Sequence, residues 1–295
     1  QYNLGLLYYD DLGVTNDISK AIYYLSLAAD KNLPNAQNNL GIIYYDKEYG
    51  VININKAIHY FSLAANRFLS GALFALGYIY FKGKYVKKDK NKAIHFFTLA
   101  ANQNHSEAQL FMGLYYYHEI SEIKKGIYYI MLSSENGNHN AHFLNGYLHH
   151  EGKYIKRDIQ KAIHYYKNAS SFNIKYAKNN LGIIYKHGYK GIIEPNSSNA
   201  IVYFKEAIAQ SNDFLSAYNL AHIYIYDDAI KQNLDEAIDI LSNPNVDDIY
   251  YESMFLLSLA IIKKYDSNIK NICIPSHVVN ISDHAFSGNI NNIAE

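Results

Sequence analysis

Cysteine is nearly missing from this chain: Cys273 stands alone among 295 residues, which excludes an intramolecular disulfide framework and a cysteine-based zinc cluster. A chain indifferent to oxidation suits a reducing interior, so a cytoplasmic location is the expectation. Tryptophan is absent and prolines number four, a composition that leaves helices uninterrupted. An excess of one charge is lacking too, with 27 Lys and Arg against 27 Asp and Glu. Without a net field there is no general attraction to nucleic acid or to an anionic membrane. No run of about 18 apolar residues occurs and the start has no signal-type stretch, so neither a membrane span nor a secretory leader is expected here. The chain opens on Gln1 and partway through a repeat, so further sequence is expected upstream.

What the chain does contain is a recurring pattern. Ala36-x3-Leu40-Gly41-x2-Tyr44 returns as Ala72 with Leu76, Gly77 and Tyr80, as Ala108 with Met112, Gly113 and Tyr116, and as Ala177 with Leu181, Gly182 and Tyr185. Weaker copies centre on Gly5, Gly146 and Ala221. Successive copies are 36, 36, 36, 33, 36 and 39 residues apart. A second pattern alternates with the first: Lys20-Ala21-Ile22, Lys56-Ala57-Ile58, Lys92-Ala93-Ile94, Lys125-Gly126-Ile127, Lys161-Ala162-Ile163, Asn199-Ala200-Ile201 and Glu236-Ala237-Ile238. The gap from the first pattern to the second is mostly 16 residues but ranges from 13 to 18, whereas the return gap is 20 in five cases and 21 in the sixth. A joint of constant length connects packed elements, and one of varying length lies in a solvent loop.

Both parts read as helices, because Ala36, Leu40, Gly41 and Tyr44, and equally Ala57, Tyr60, Phe61, Ala64 and Ala65, trace one face at 3.6 residues per turn. Four residues before each second-pattern Ala stand Asp17, Asn53, Asp89, Glu122, Asp158, Asn196 and Asn233. All but Glu122 are of the type that caps a helix N-terminus. Asn32, Asn104, Gly137 and Asn173 share the position just past the second helix, where a left-handed residue ends a helix at little cost. Phe68 occupies the same position and departs from that rule, so residue type does not assign a cap there. The glycines at 41 and its equivalents are expected to sit opposite the pairs Ala28-Ala29, Ala64-Ala65 and Ala100-Ala101, allowing close helix approach. A helix pair of this size cannot bury its apolar face alone, so neighbours must stack.

The combination A-x3-L-G-x2-Y followed by D-x2-K-A-x2-Y-x3-A-A, seen from Ala36 to Ala65, resembles the Sel-one-like repeat of the tetratricopeptide superfamily. The resemblance implies an all-α fold, a right-handed α-α superhelical solenoid over residues 1–264, with a short non-helical tail over 265–295. The family's loop glycine survives as Gly83, Gly152 and Gly188. Disulfide-stapled members with proposed penicillin-binding activity carry paired cysteines that this chain lacks. From Ile272 to Gly288 the pattern is similar to one unit of a BspA-like leucine-rich repeat, so residues 265–295 are expected to be either part of such a repeat or a disordered tail.

Residues opposite Leu40 and Tyr44 on the first helices are not uniformly polar, and resemblance to tetratricopeptide-like solenoids implies that they line a groove for a peptide or partner helix. Phe74, Tyr78, Phe81, Tyr117, Phe143 and Tyr147 are the candidate partner-binding residues; contact between adjacent repeats is the competing explanation. His59, His95 and His164 recur at an outward position one or more repeats apart, which suits a surface and not a metal site. His149 and His150, being adjacent, are expected to be one core and one surface residue. Loops 83–89 and 152–158 are basic and are read as solvated. No nucleophile, phosphate or dinucleotide motif stands out, so no catalytic residue, metal ligand or cofactor is assigned. The expected function is a non-enzymatic scaffold or adaptor for other proteins. The alternative is a regulatory or targeting arm of a larger enzyme, for example a kinase, whose catalytic domain lies outside residues 1–295.

Overall fold

Six of the seven expected cap residues do cap: Asp17, Asn53, Asp89 and Asp158 each accept a hydrogen bond from the amide three residues on, at 3.0 Å, and Asn196 and Asn233 do so at 2.9 and 3.2 Å. Glu122 makes no such bond. The computed structural model describes residues 1–9, 17–174, 176–211 and 213–242, together with Ser258, Ala260 and Lys264. Among these, fourteen α-helices follow one another: α1 (Tyr2–Tyr9), α2 (Ile18–Ala29), α3 (Pro34–Tyr45), α4 (Ile54–Ala65), α5 (Ser70–Lys82), α6 (Lys90–Asn102), α7 (Ser106–Leu114), α8 (Ile123–Glu135), α9 (His139–Glu151), α10 (Ile159–Ser171), α11 (Ala177–His187), α12 (Ser197–Ser211), α13 (Phe214–Tyr226) and α14 (Leu234–Ser242). The architecture is all-α, a stack of helix pairs. Contacts divide the chain into two units, 1–141 and 142–295, with the boundary inside α9. The leucine-rich pattern, Cys273 and the tail boundary lie outside the described residues. Ser258, Ala260 and Lys264 are helical, and Ala260 is fully buried in the core of the second unit.

Each odd-numbered helix packs on the next, and the glycine marks the crossing. The expected glycine partner was the Ala-Ala pair, and this is corrected: the nearest neighbour is the large side chain four residues after the second-pattern Ala. A Cβ on Gly41 would sit 2.6 Å from the Phe61 ring; on Gly77, 2.8 Å from Phe97; and on Gly146, 2.8 Å from Tyr166. The missing Cβ lets a large buried ring lie directly on the partner backbone. Phe61 and Phe97 in the first unit and Tyr166 and Phe204 in the second are at most 2 % exposed and centre the cores of their own units.

Turns hold the pairs in register. Asn32, Asn104, Gly137 and Asn173 all have positive φ, as the cap pattern requires. Phe68 does too, at φ 58°. The position is therefore capped in spite of its residue type: the chain reversal between α4 and α5 imposes the conformation, and Leu69 N still donates to Ala64 O at 3.3 Å, as Leu33 N does to Ala28 O. Gly83, Gly152 and Gly188 end their helices at φ 63°, 67° and 64°. In the shortened fourth repeat the first helix ends in a π-helical turn, Tyr115–Glu119. There Gly126 replaces the usual Ala, because a Cβ would lie 2.8 Å from Tyr117 N.

Candidate protein-binding faces

On the first helices, the residue after each repeat glycine forms a partly exposed column of the outward face. In the first unit it comprises Ile42, Tyr78 and Leu114; Ile42 is 36 % exposed and the other two are half-buried. Tyr78 is bracketed by Tyr45, whose hydroxyl is pushed up by burial and by the Tyr78 and Tyr85 phenols, and by the Lys82 ammonium, 5.6 Å above its ring. In the second unit the same column is Tyr147, Ile183 and His222, all half-buried.

The flanking columns are occupied by contacts between repeats. Phe74 stacks on His105 of the following turn, with centroids 4.7 Å apart, and touches Phe97 at 5.5 Å. Phe81 meets Phe111 edge-on at 4.9 Å. Tyr117 is half-buried in the π-helical turn. Phe143 corrects the candidate set: at 2 % exposure it packs against Tyr166, 5.7 Å away, and offers no surface to a partner. The structure thus separates Phe143, which has no exposed surface, from Phe74, Tyr78, Phe81, Tyr117 and Tyr147, which are all half-buried.

A second device was missed in the sequence. A tyrosine seven or eight residues past the glycine reaches back to the preceding repeat. Tyr49 meets Tyr9, hydroxyl to hydroxyl at 2.8 Å; Tyr85 meets Tyr45 edge-on at 6.1 Å; and Tyr189 places its hydroxyl 2.6 Å from His150 Nε2. Tyr189 is held there by a tight turn in which its amide donates to Ile193 O at 2.7 Å. Loop 83–89 is accordingly not wholly solvated: Tyr85 belongs to the fold. Its Lys87 and Lys88, with Lys90 of α6, border an open depression of about 580 Å³ at the start of that helix. The regular spacing of Tyr49, Tyr85 and Tyr154 eight residues after Gly41, Gly77 and Gly146 was the available signal.

The expectation for the adjacent histidines is also corrected. His149 is buried at 6 % exposure and stacks on Tyr165, and His150 is half-buried between Tyr189 and Tyr166. Loop clasps cover His150, so neither lies on free surface. Burial, then Arg157 and His187, hold the His150 imidazole down at about 4. Lys186, on the last turn of α11, is lowered to about 8 by burial, which Asp227 partly opposes. Its Nζ donates to Asn219 Oδ1 at 3.5 Å. His59, His95 and His164 are exposed on successive second helices of their units. Among the described residues no three His, Cys, Asp or Glu side chains converge as a metal site, and no helix is long and apolar enough to cross a membrane.

Stacked helix pairs with glycine crossings and an open first-helix face define the class: an α-helical repeat protein of the solenoid type. The chain belongs to the Sel1 repeat family, whose profile matches residues 1–33, 34–67, 70–105, 106–137, 139–171, 175–212 and 215–242. Sel1 repeat proteins are generally scaffolds for protein–protein interaction. Among solved structures, a Sel1 repeat protein from Oxalobacter formigenes is similar at 30 % identity and a TM-score of 0.63, over 70 % of this chain and 86 % of that one. A protective antigen of uropathogenic Escherichia coli strains displaying an SLR fold shares the fold at 23 % identity and a TM-score of 0.72, over 86 % of this chain. The chain spans about half of that antigen, 53 % of its length. No curated protein matches the sequence.

Proposed function

We propose that this chain is a non-enzymatic scaffold that binds segments of other proteins along the outward faces of its first helices. The observation that carries this reading is the column of Ile42, Tyr78 and Leu114, apolar and aromatic side chains that recur at the residue after each repeat glycine and keep partial exposure, with Ile42 36 % exposed. Apolar and aromatic side chains at fixed spacing on a rigid support are what an extended peptide or an amphipathic helix needs for anchoring. Tyrosine suits the task, since it supplies a large contact area with few rotatable bonds and a polar tip.

The test is selection from a random peptide library against the wild-type chain, followed by binding isotherms for the enriched peptides with Tyr78→Ala and Tyr147→Ala. Weakened binding at an unchanged melting temperature supports the proposal. Absence of any enriched sequence, or peptides indifferent to both substitutions, would sink it.

A further inference from the structure

Several lysines of this protein have a ring or a carboxylate for a partner. Lys20, Lys56, Lys92 and Lys125 lie over tyrosine rings at 3.9 to 5.2 Å. Lys90, Lys178, Lys205 and Lys264 each pair with a carboxylate at 2.5 to 3.2 Å. Lys186 is different. It is half-buried, yet among the described residues no carboxylate lies within 4.0 Å of its ammonium, and its hydrogen-bond partner is the neutral Asn219 Oδ1. An ammonium has three donors, and one bond of 3.5 Å satisfies them poorly. Burial accordingly pushes the group down to about 8.

The surroundings are arranged and not accidental. Asn219 is oriented by its own amide, which donates to Leu215 O at 2.9 Å and to Asn179 Oδ1 at 3.4 Å, leaving its carbonyl oxygen aimed at Lys186. The acid nearest in influence, Asp227, is engaged with Ser197 Oγ and with the amide of Ala229. A desolvated cation without a counter-charge costs stability, and a bound anion relieves that cost. Ile183, one turn earlier on α11, is half-buried in the open column beside it.

We infer that the second unit recognises a side-chain carboxylate of a partner peptide at Lys186, with an apolar residue of the same peptide seated on Ile183. The inference rests on the scaffold reading and names the chemistry of its partner. One ammonium beside one amide matches a singly charged carboxylate; a phosphate calls for more donors, of the forked kind that arginine supplies.

The experiment uses the full chain and a random linear peptide library with blocked C-termini, so that only side chains present carboxylates. Wild type is expected to enrich sequences with Asp or Glu next to an apolar residue. In isotherms, Lys186→Met and the Asp→Asn or Glu→Gln version of the peptide should each weaken binding at least about tenfold, and together no further. Should Lys186→Met fail to fold, the rate of Lys186 acetylation against pH, with and without peptide, gives the same answer: bound peptide must shift its titration upward. Enriched peptides that lack an acidic preference, bind Lys186→Met equally or leave that titration unmoved overturn the inference and spare the scaffold. Failure to enrich any peptide overturns both.

Discussion

The phenol of Tyr44 lies flat on that of Tyr60, with centroids 5.9 Å apart and planes 6° from parallel, and the Lys56 ammonium stands 4.9 Å over the Tyr44 ring. The same sandwich recurs as Lys20, Tyr8 and Tyr24, as Lys92, Tyr80 and Phe96, and as Lys125, Tyr116 and Tyr129. The Lys-Ala-Ile pattern therefore has a reason beyond solubility: its Lys covers the tyrosine that ends the first helix. Ring burial and cation–π attraction are separable by substitution. Tyr44→Ala is expected to cost about 3 kcal/mol or more, and Lys56→Met at most about 1 kcal/mol, in urea unfolding. Equal costs would mean that the cation carries the contact.

Gly41 gains helix propensity and loses space when given a side chain. Propensity favours Gly41→Ala by about 1 kcal/mol, but the added Cβ meets the buried Phe61 ring at 2.6 Å. Overpacking of this kind costs about 1 to 3 kcal/mol, so the net effect is expected to be destabilising. Thermal unfolding decides it; a higher melting temperature would show that the helices separate freely at this crossing.

Phe68 holds a left-handed conformation that its equivalents give to Asn or Gly, and at 65 % exposure its ring has little packing to lose. Phe68→Asn is expected to stabilise the chain by about 1 kcal/mol, and Asn32→Phe to destabilise it by a similar amount. Both are read as shifts in melting temperature, in opposite directions.

Acid should loosen the second unit. His150 titrates at about 4 in the fold against 6.5 for an ordinary imidazole, so between those values the unfolded chain binds a proton that the folded chain refuses. The contribution is whole above 6.5 and is lost as pH falls towards 4, by roughly 3 kcal/mol in all. His149 and His187, in the same unit, are lowered in the same direction, each chiefly by burial. Urea unfolding at about pH 7.5 and about pH 5 measures the slope, which His150→Gln is expected to flatten.

The helix pairs, their order, six side-chain caps and the glycine turns at Gly83, Gly152 and Gly188 could all be read from the linear pattern. Those features depend on residues a few positions apart, and local spacing states them in full. Phe68 shows where that ends: its own preference opposes the left-handed region, and the reversal between α4 and α5 overrides it. The candidate face was legible as a stripe and no further, because Phe143 and Tyr147 share that stripe and differ only in what lies across from them. Tyr166 covers the one, and the other keeps partial exposure.

By itself, then, the sequence determined an all-α array of repeats, the ends of its helices and the periodic small and large residues of its core. Tertiary structure alone decided which outward residues are spent on neighbouring repeats, that Tyr189 would clasp His150, and that Lys186 would be half-buried beside an amide. The physical reason is that periodicity is a property of one helix, whereas burial and electrostatic environment are set by whichever helix is stacked against it.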